Sequence, residues 1–240
     1  MYRVNLLSLL ALLISCFAAP AELIPATAQS KRKNPAFEPV EDVDGLPRVL
    51  ILGDSISIGY TVPVREALAG VANVHRPPEN CSSSRTGAEK LDKWLGDERW
   101  DLIHFNFGLH DLKHVIGNSQ QLVDVDNPKS HRQVELDEYR KHMSEIASRL
   151  KKTNAKLVWC NTTPVPEGAK GRLPHYVGEY NRVAAEVMSE FEIPTNDLHS
   201  FAAERLEKIQ RKANVHFFPE GSKALARHVA NVIREQLELE

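Results

Sequence analysis

Two alternating patterns of apolar residues run along this chain. The segment 48–52 (RVLIL) is an unbroken run of leucine and β-branched residues, ended by Gly53. Such runs form strands buried on both faces of a parallel sheet. Comparable short runs recur at 71–75, 101–107 (DLIHFNF), 155–161 (AKLVWCN) and 193–198. Between them the spacing becomes helical. Leu136, Tyr139, Met143, Ile146 and Leu150 share one helix face, and Val177, Tyr180, Val183, Ala184, Val187 and Phe191 another. Leu225, Val229, Val232, Ile233 and Leu237 make a third near the end of the chain. Alternating strand and helix predicts a doubly wound α/β fold with a five-stranded parallel sheet. Open sheets of this kind bind ligands beyond the carboxyl ends of their strands. Chemistry is therefore expected just after Leu52, His75, Phe107 and Asn161, and in the loop before the last helix.

The amino-terminal pattern is different. After Arg3, residues 6–19 are apolar except for Ser8, Ser15 and Cys16. The run is too short to span a bilayer and suits a signal-peptide core. Ala26-Thr27-Ala28 supplies a small-x-small cleavage site, so residues 1–28 read as a signal peptide and the protein as exported, to a periplasm or the exterior. A second reading competes. Leu13-Ile14-Ser15-Cys16 resembles a bacterial lipobox, in which Cys16 would be lipidated and hold the protein at a membrane. Residues 29–47 are polar, contain Pro35 and Pro39, and read as a tether. Residues 48–240 then form one domain.

Composition narrows the partners. With 42% hydrophobic and 26% charged residues the chain has the balance of a globular protein. Thirty basic and 32 acidic residues leave a net charge of -2, so no basic excess points to nucleic acid. Three cysteines without a CxxC exclude a disulfide framework and a cysteine-rich zinc module. Cys81 and Cys160 remain after export, as a disulfide or as two buried thiols.

Four polar stations stand where strand ends are expected. Gly53-Asp54-Ser55 follows the first strand, with Ser55 opening a helix whose N-terminus favours negative charge. Thr86-Gly87-Ala88-Glu89 fits a capping box, which would make Gly87 the first helical residue with a free N–H. His110 follows the third strand and can donate to a developing oxyanion. His216 precedes the last helix and can serve as base for a serine hydroxyl. Together they supply a nucleophile (Ser55), a base (His216) and oxyanion donors (the Ser55 and Gly87 N–H groups and His110), as serine hydrolysis requires.

In this order the stations resemble the blocks of the SGNH hydrolases, also called the GDSL esterase/lipase superfamily, over residues 48–237. The resemblance implies a flavodoxin-like three-layer α/β/α sandwich, a serine esterase activity and no cofactor or metal. Two departures stand out. The third block reads Gly108-Leu109-His110-Asp111, so a titratable His110 replaces the usual asparagine and could add a pH dependence. Three residues before His216 the family has aspartate, and here stands Ala213, with Asn214 beside it. Asp54, Asn106, Asp111 and Asn214 are the polar residues at hand to support the site.

No long apolar lid is evident, which favours small acyl groups, acetyl first, on a small-molecule or carbohydrate ester. The Pro- and Gly-rich stretch 162–174 is expected to overhang the strand ends, and Arg172 or Lys170 could meet an anionic substrate. Trp94, Trp100 and Trp159 are expected to be structural. Competing functions are a non-catalytic carbohydrate- or ester-binding module, an acyltransferase using the same serine, and a metal-dependent hydrolase. The last would use His110 and His114, four apart as on a helix, with Asp111 between them.

Overall fold

The computed structural model describes residues 33–239. Both readings of the amino terminus, the cleaved signal peptide 1–28 and the lipidated Cys16, lie outside the described residues.

In chain order the elements are β1 (Arg48–Leu52), α1 (Ser55–Ala67), β2 (Asn73–His75), α2 (Ser84–Leu95), β3 (Leu102–Phe105), β4 (His114–Ile116), β5 (Ser130–Arg132) and α3 (Leu136–Lys151). There follow β6 (Lys156–Cys160), α4 (Pro174–Glu190), β7 (Thr195–Asn196), α5 (Leu198–Ala203), α6 (Leu206–Ile209) and α7 (Pro219–Leu237). Five strands form one sheet in the order β2-β1-β3-β6-β7, and every pairing in it is parallel. Counted among themselves these strands run 2-1-3-4-5, the flavodoxin-like order. The fold is the three-layer α/β/α sandwich expected.

The sheet is a core element. Val49, Ile51, Leu52, Leu102, Ile103 and Phe105 are fully buried, as the unbroken apolar runs require of strands covered on both faces. α1 packs against α7, while α3 packs against both α2 and α4. The expected helix faces are the buried ones: Tyr139, Met143, Ile146 and Leu150 on α3, Val177, Tyr180, Val183 and Val187 on α4, and Leu225, Val229 and Ile233 on α7.

Two features depart from the expectation. Residues 33–47 are not a free tether. Pro35–Phe37 forms a 3-10 turn whose Ala36 is buried. Arg65 donates to Pro35 O, and Asn73 takes Val43 N–H on Oδ1 while donating Nδ2 to Val43 O and Leu46 O. This strap fastens to α1 and the edge strand β2, which polar side chains and backbone accomplish without any apolar period. The second departure is the antiparallel hairpin β4–β5. Its strands, HVI and SHR, are three residues each and lack a hydrophobic alternation that would mark them.

Candidate active site

β1 ends at Leu52, and Asp54 caps the helix that follows by accepting the Ile56 N–H at 2.9 Å. The turn thereby delivers Ser55 at the carboxyl end of a central strand. The β1/β3 pairing is where the strand order reverses, the place such sheets reserve for ligands. Buried Arg76 braces the turn from behind. Its guanidinium donates to Gly53 O (3.2 Å), Ser57 Oγ (3.1 Å) and Thr61 Oγ1 (3.1 Å) on one side, and to Glu79 O and Pro77 O (3.2 Å each) on the other. One buried cation thus ties the Ser55 turn to the loop after β2.

Ser55 Oγ lies 2.9 Å from His216 Nε2. His216 is brought there by the loop between α6 and α7, 161 positions along the chain. The other ring nitrogen, Nδ1, lies 2.8 Å from Asn214 Oδ1, which also takes the His216 backbone N–H at 2.9 Å. A backbone N–H can only donate, so the amide oxygen, not the NH2, faces the ring. Nδ1 must therefore carry its proton, which leaves the Nε2 lone pair for the serine hydroxyl. Ala213, in the aspartate register, has φ +51°. That left-handed turn lets the next residue fold back on the imidazole. Burial holds the His216 pKa below its ordinary value, Asp54 opposes this, and the charges of Arg172 and Arg211 add to it.

Of the four expected supports, only Asn214 bonds His216. Asp54 is buried at its cap position, with its carboxyl pushed up by burial. Asn106 donates to Cys160 O at 2.7 Å. Asp111 is buried and accepts Ser84 N–H (2.8 Å) and the Ser84 hydroxyl (2.5 Å) on one oxygen, so it pins the start of α2.

Gly87 does not present the free N–H its sequence position predicts. α2 begins at Ser84, not at Thr86, and its first N–H is taken by Asp111 rather than by a capping side chain of the helix. Gly87 N–H is already bonded to Ser83 O at 2.9 Å inside the helix. A Cβ there would lie 2.6 Å from Phe107 Cζ and 2.9 Å from Ile146 Cδ1, so Gly87 is a packing glycine. The residue of this loop that borders the site is Ser82, missed in the sequence. It holds φ +59°, its N–H is bonded to Asn80 Oδ1, and its hydroxyl is 3.2 Å from His110 Nδ1.

His110 Nδ1 also faces Lys113 Nζ at 3.3 Å. An ammonium only donates, so Nδ1 accepts and the ring proton sits on Nε2. Nε2 has no hydrogen-bond partner among the described residues, nor has the Ser55 N–H. Burial, with the charges of Lys113, Arg172 and His216, pushes the His110 pKa down to about 3. The ring is thus a neutral donor throughout the working range, and the extra titration expected of it is absent.

The metal reading rested on a helix through His110 and His114. His114 instead lies in β4, stacked on Tyr176 with an interplanar angle of 2° and bonded to Ser130 Oγ at 2.8 Å. No group of three or more His, Cys, Asp or Glu residues among the described residues could hold a metal ion. Cys81 and Cys160 are buried free thiols. The tryptophans are structural: Trp94 donates to Glu79, Trp100 donates to Leu95 O, and Trp159 is buried in β6. A cavity of about 610 Å³ opens beside Ser55 and His216, walled by Ile56, Pro63, Arg211 and Phe217 among others.

A helix-opening serine after the first strand, facing a histidine from before the last helix of a flavodoxin-like sheet, is the plan of the GDSL or SGNH hydrolases. The model of the GDSL-like lipase/acylhydrolase family matches residues 51–224, and the chain belongs to that family. Among solved structures, it is similar to the lipase/acylhydrolase from Enterococcus faecalis, at 18% identity and a TM-score of 0.64 over 81% of this chain and 98% of that one. It is also similar to the acetyl xylan esterase AlAXEase, at 14% identity and a TM-score of 0.63 over 78% and 99%. An acetylxylan esterase from Geobacillus stearothermophilus matches at 16% identity and a TM-score of 0.60 over 81% and 95%. At such identities the likeness is one of fold. No curated protein matches the chain.

Proposed function

We propose that the protein is an exported serine esterase that removes small acyl groups, acetyl foremost, from a small-molecule or carbohydrate ester. The observation that carries the reading is the relay Ser55 Oγ to His216 Nε2, 2.9 Å, and His216 Nδ1 to Asn214 Oδ1, 2.8 Å. In this mechanism His216 takes the hydroxyl proton as Ser55 attacks the ester carbonyl. The tetrahedral oxyanion is met by the Ser55 N–H at the start of α1 and by His110 Nε2–H. His216 returns its proton to the leaving alcohol, and water, activated by the same ring, releases the acyl group.

Asn214 supplies the orienting bond that the absent aspartate supplies elsewhere, which removes the main motive for a non-catalytic binding module. A neutral amide fixes the tautomer but stabilises the imidazolium less than a carboxylate does. Carbohydrate esters are favoured by the acetylxylan esterases among the similar folds. The export reading rests on residues 6–28 alone. The test is hydrolysis of 4-nitrophenyl acetate by the purified protein beside Ser55→Ala and His216→Ala, with folding checked by circular dichroism. Loss of turnover in both is expected, and unchanged turnover in Ser55→Ala refutes the serine mechanism.

A further inference from the structure

Arg172 sits in the loop between β6 and α4, and the chain holds it in place. Gly171 has φ +64°, and a Cβ on it would come 2.4 Å from Val123 O. Gly171 O takes the His114 N–H at 2.7 Å. Arg172 Nε donates to Leu109 O at 2.9 Å, the carbonyl immediately before His110. The side chain is half-buried, yet neither Nη has a hydrogen-bond or ion-pair partner among the described residues. Its charge acts on Asp54, which caps the Ser55 helix, on His110 and on the base His216. Asp54 is the one acid that acts on it in return, and that carboxyl is buried and pushed towards its neutral form. Among the described residues Arg211, which lines the cavity beside Ser55, has no acidic partner, and Lys113, next to His110, bonds Gln120 O and His110 Nδ1. A guanidinium with two free, forked donors matches a carboxylate bidentately.

We propose that Arg172 anchors an anion subsite beside Ser55, and that the ester taken by this protein carries a carboxylate group. The inference rests on the esterase reading above and names its substrate class. The carboxylate can belong to the alcohol, as in an acetylated uronic acid, or to the acyl group, as in a half-ester of a dicarboxylic acid. Two substrate pairs separate these sources. One is acetylated glucuronate against its methyl ester. The other is 4-nitrophenyl hydrogen succinate against 4-nitrophenyl butyrate.

In one pair, the wild-type protein is expected to favour the anionic member by about tenfold in kcat/KM, carried by KM, as a partly buried charge-assisted pair supplies. The preference should shrink in high salt, collapse towards one in Arg172→Gln, and partly survive in Arg172→Lys. A ratio near one in both pairs for the wild type overturns the proposal, as does an undiminished ratio in folded Arg172→Gln. An equal loss on charged and neutral esters in that variant, which would leave the ratio intact, assigns Arg172 to the reaction itself and also overturns it. Should the wild type hydrolyse none of these esters, the esterase reading fails separately. Saturation-transfer NMR with glucuronate and glucose then decides the subsite. Glucuronate bound by the wild type and lost in Arg172→Gln supports it, and no binding overturns it.

Discussion

Asn214 is expected to respond in opposite directions to two substitutions. Its Oδ1 accepts two hydrogen bonds, from His216 N–H at 2.9 Å and from Nδ1 at 2.8 Å. Asn214→Ala removes both. At about 1 kcal/mol for each neutral bond, the loss is about 2 kcal/mol in the barrier, or roughly thirtyfold in kcat/KM. Asn214 is exposed, so water can replace part of the interaction and hold the loss nearer tenfold. Asn214→Asp keeps the geometry and adds a charge. A charge-assisted bond is about twice as strong as a neutral one, so the imidazolium formed in the transition state gains about 1 kcal/mol, some fivefold in rate. The same carboxylate favours the protonated ring in the free protein, so the His216 pKa rises. The base must be neutral to act. The rising limb of the pH–rate profile therefore moves to higher pH in Asn214→Asp, with a gain near pH 8 and a loss near pH 5. The assay is hydrolysis of 4-nitrophenyl acetate by the three proteins from about pH 5 to about pH 9, with melting curves to confirm folding. An Asn214→Ala variant with wild-type kcat/KM, or an unshifted Asn214→Asp profile, refutes the relay.

Four further outcomes are expected. His110→Ala should lower kcat about a hundredfold with little change in KM, as loss of one oxyanion donor does. Because His110 is pushed to about 3, the wild-type profile of kcat/KM should rise once, below pH 6.5 with neutral His216, and show no second inflection from His110, which steady-state kinetics on wild type and His110→Asn will check. Gly87→Ala should destabilise the fold by about 1–3 kcal/mol through overpacking against Phe107 and Ile146, read by urea denaturation, while activity per folded molecule persists. Arg76→Met should cost about 3 kcal/mol by stranding the carbonyls and hydroxyls it serves, and a wild-type unfolding midpoint would show that Arg76 is no brace.

The layered fold was written locally. Unbroken runs such as RVLIL, and apolar periods such as those of α3 and α7, encode burial on two faces or on one stripe. They needed no partner to be read. Ser55 and His216 were legible for a related reason: strand ends and helix starts are local signals, and chemistry collects where they meet. Tertiary contacts decided the rest. Asp111 reaches back 27 positions to Ser84, so α2 starts earlier than its capping box proposed, and Gly87 falls inside the helix with its N–H already used. Tyr176 and Ser130 hold His114 in a strand, which ends the helical pairing with His110. The polar strap 33–47 is held by Arg65 and Asn73 through backbone groups, which no side-chain pattern announces. The partner of His216 lay in plain sight as Asn214, but the family's spacing pointed to Ala213. Only the left-handed backbone at Ala213 turns the amide oxygen onto the ring. A residue's type and neighbours specify what it can donate or accept. What it does meet depends on atoms brought together from distant positions, and those are settled by the folded chain.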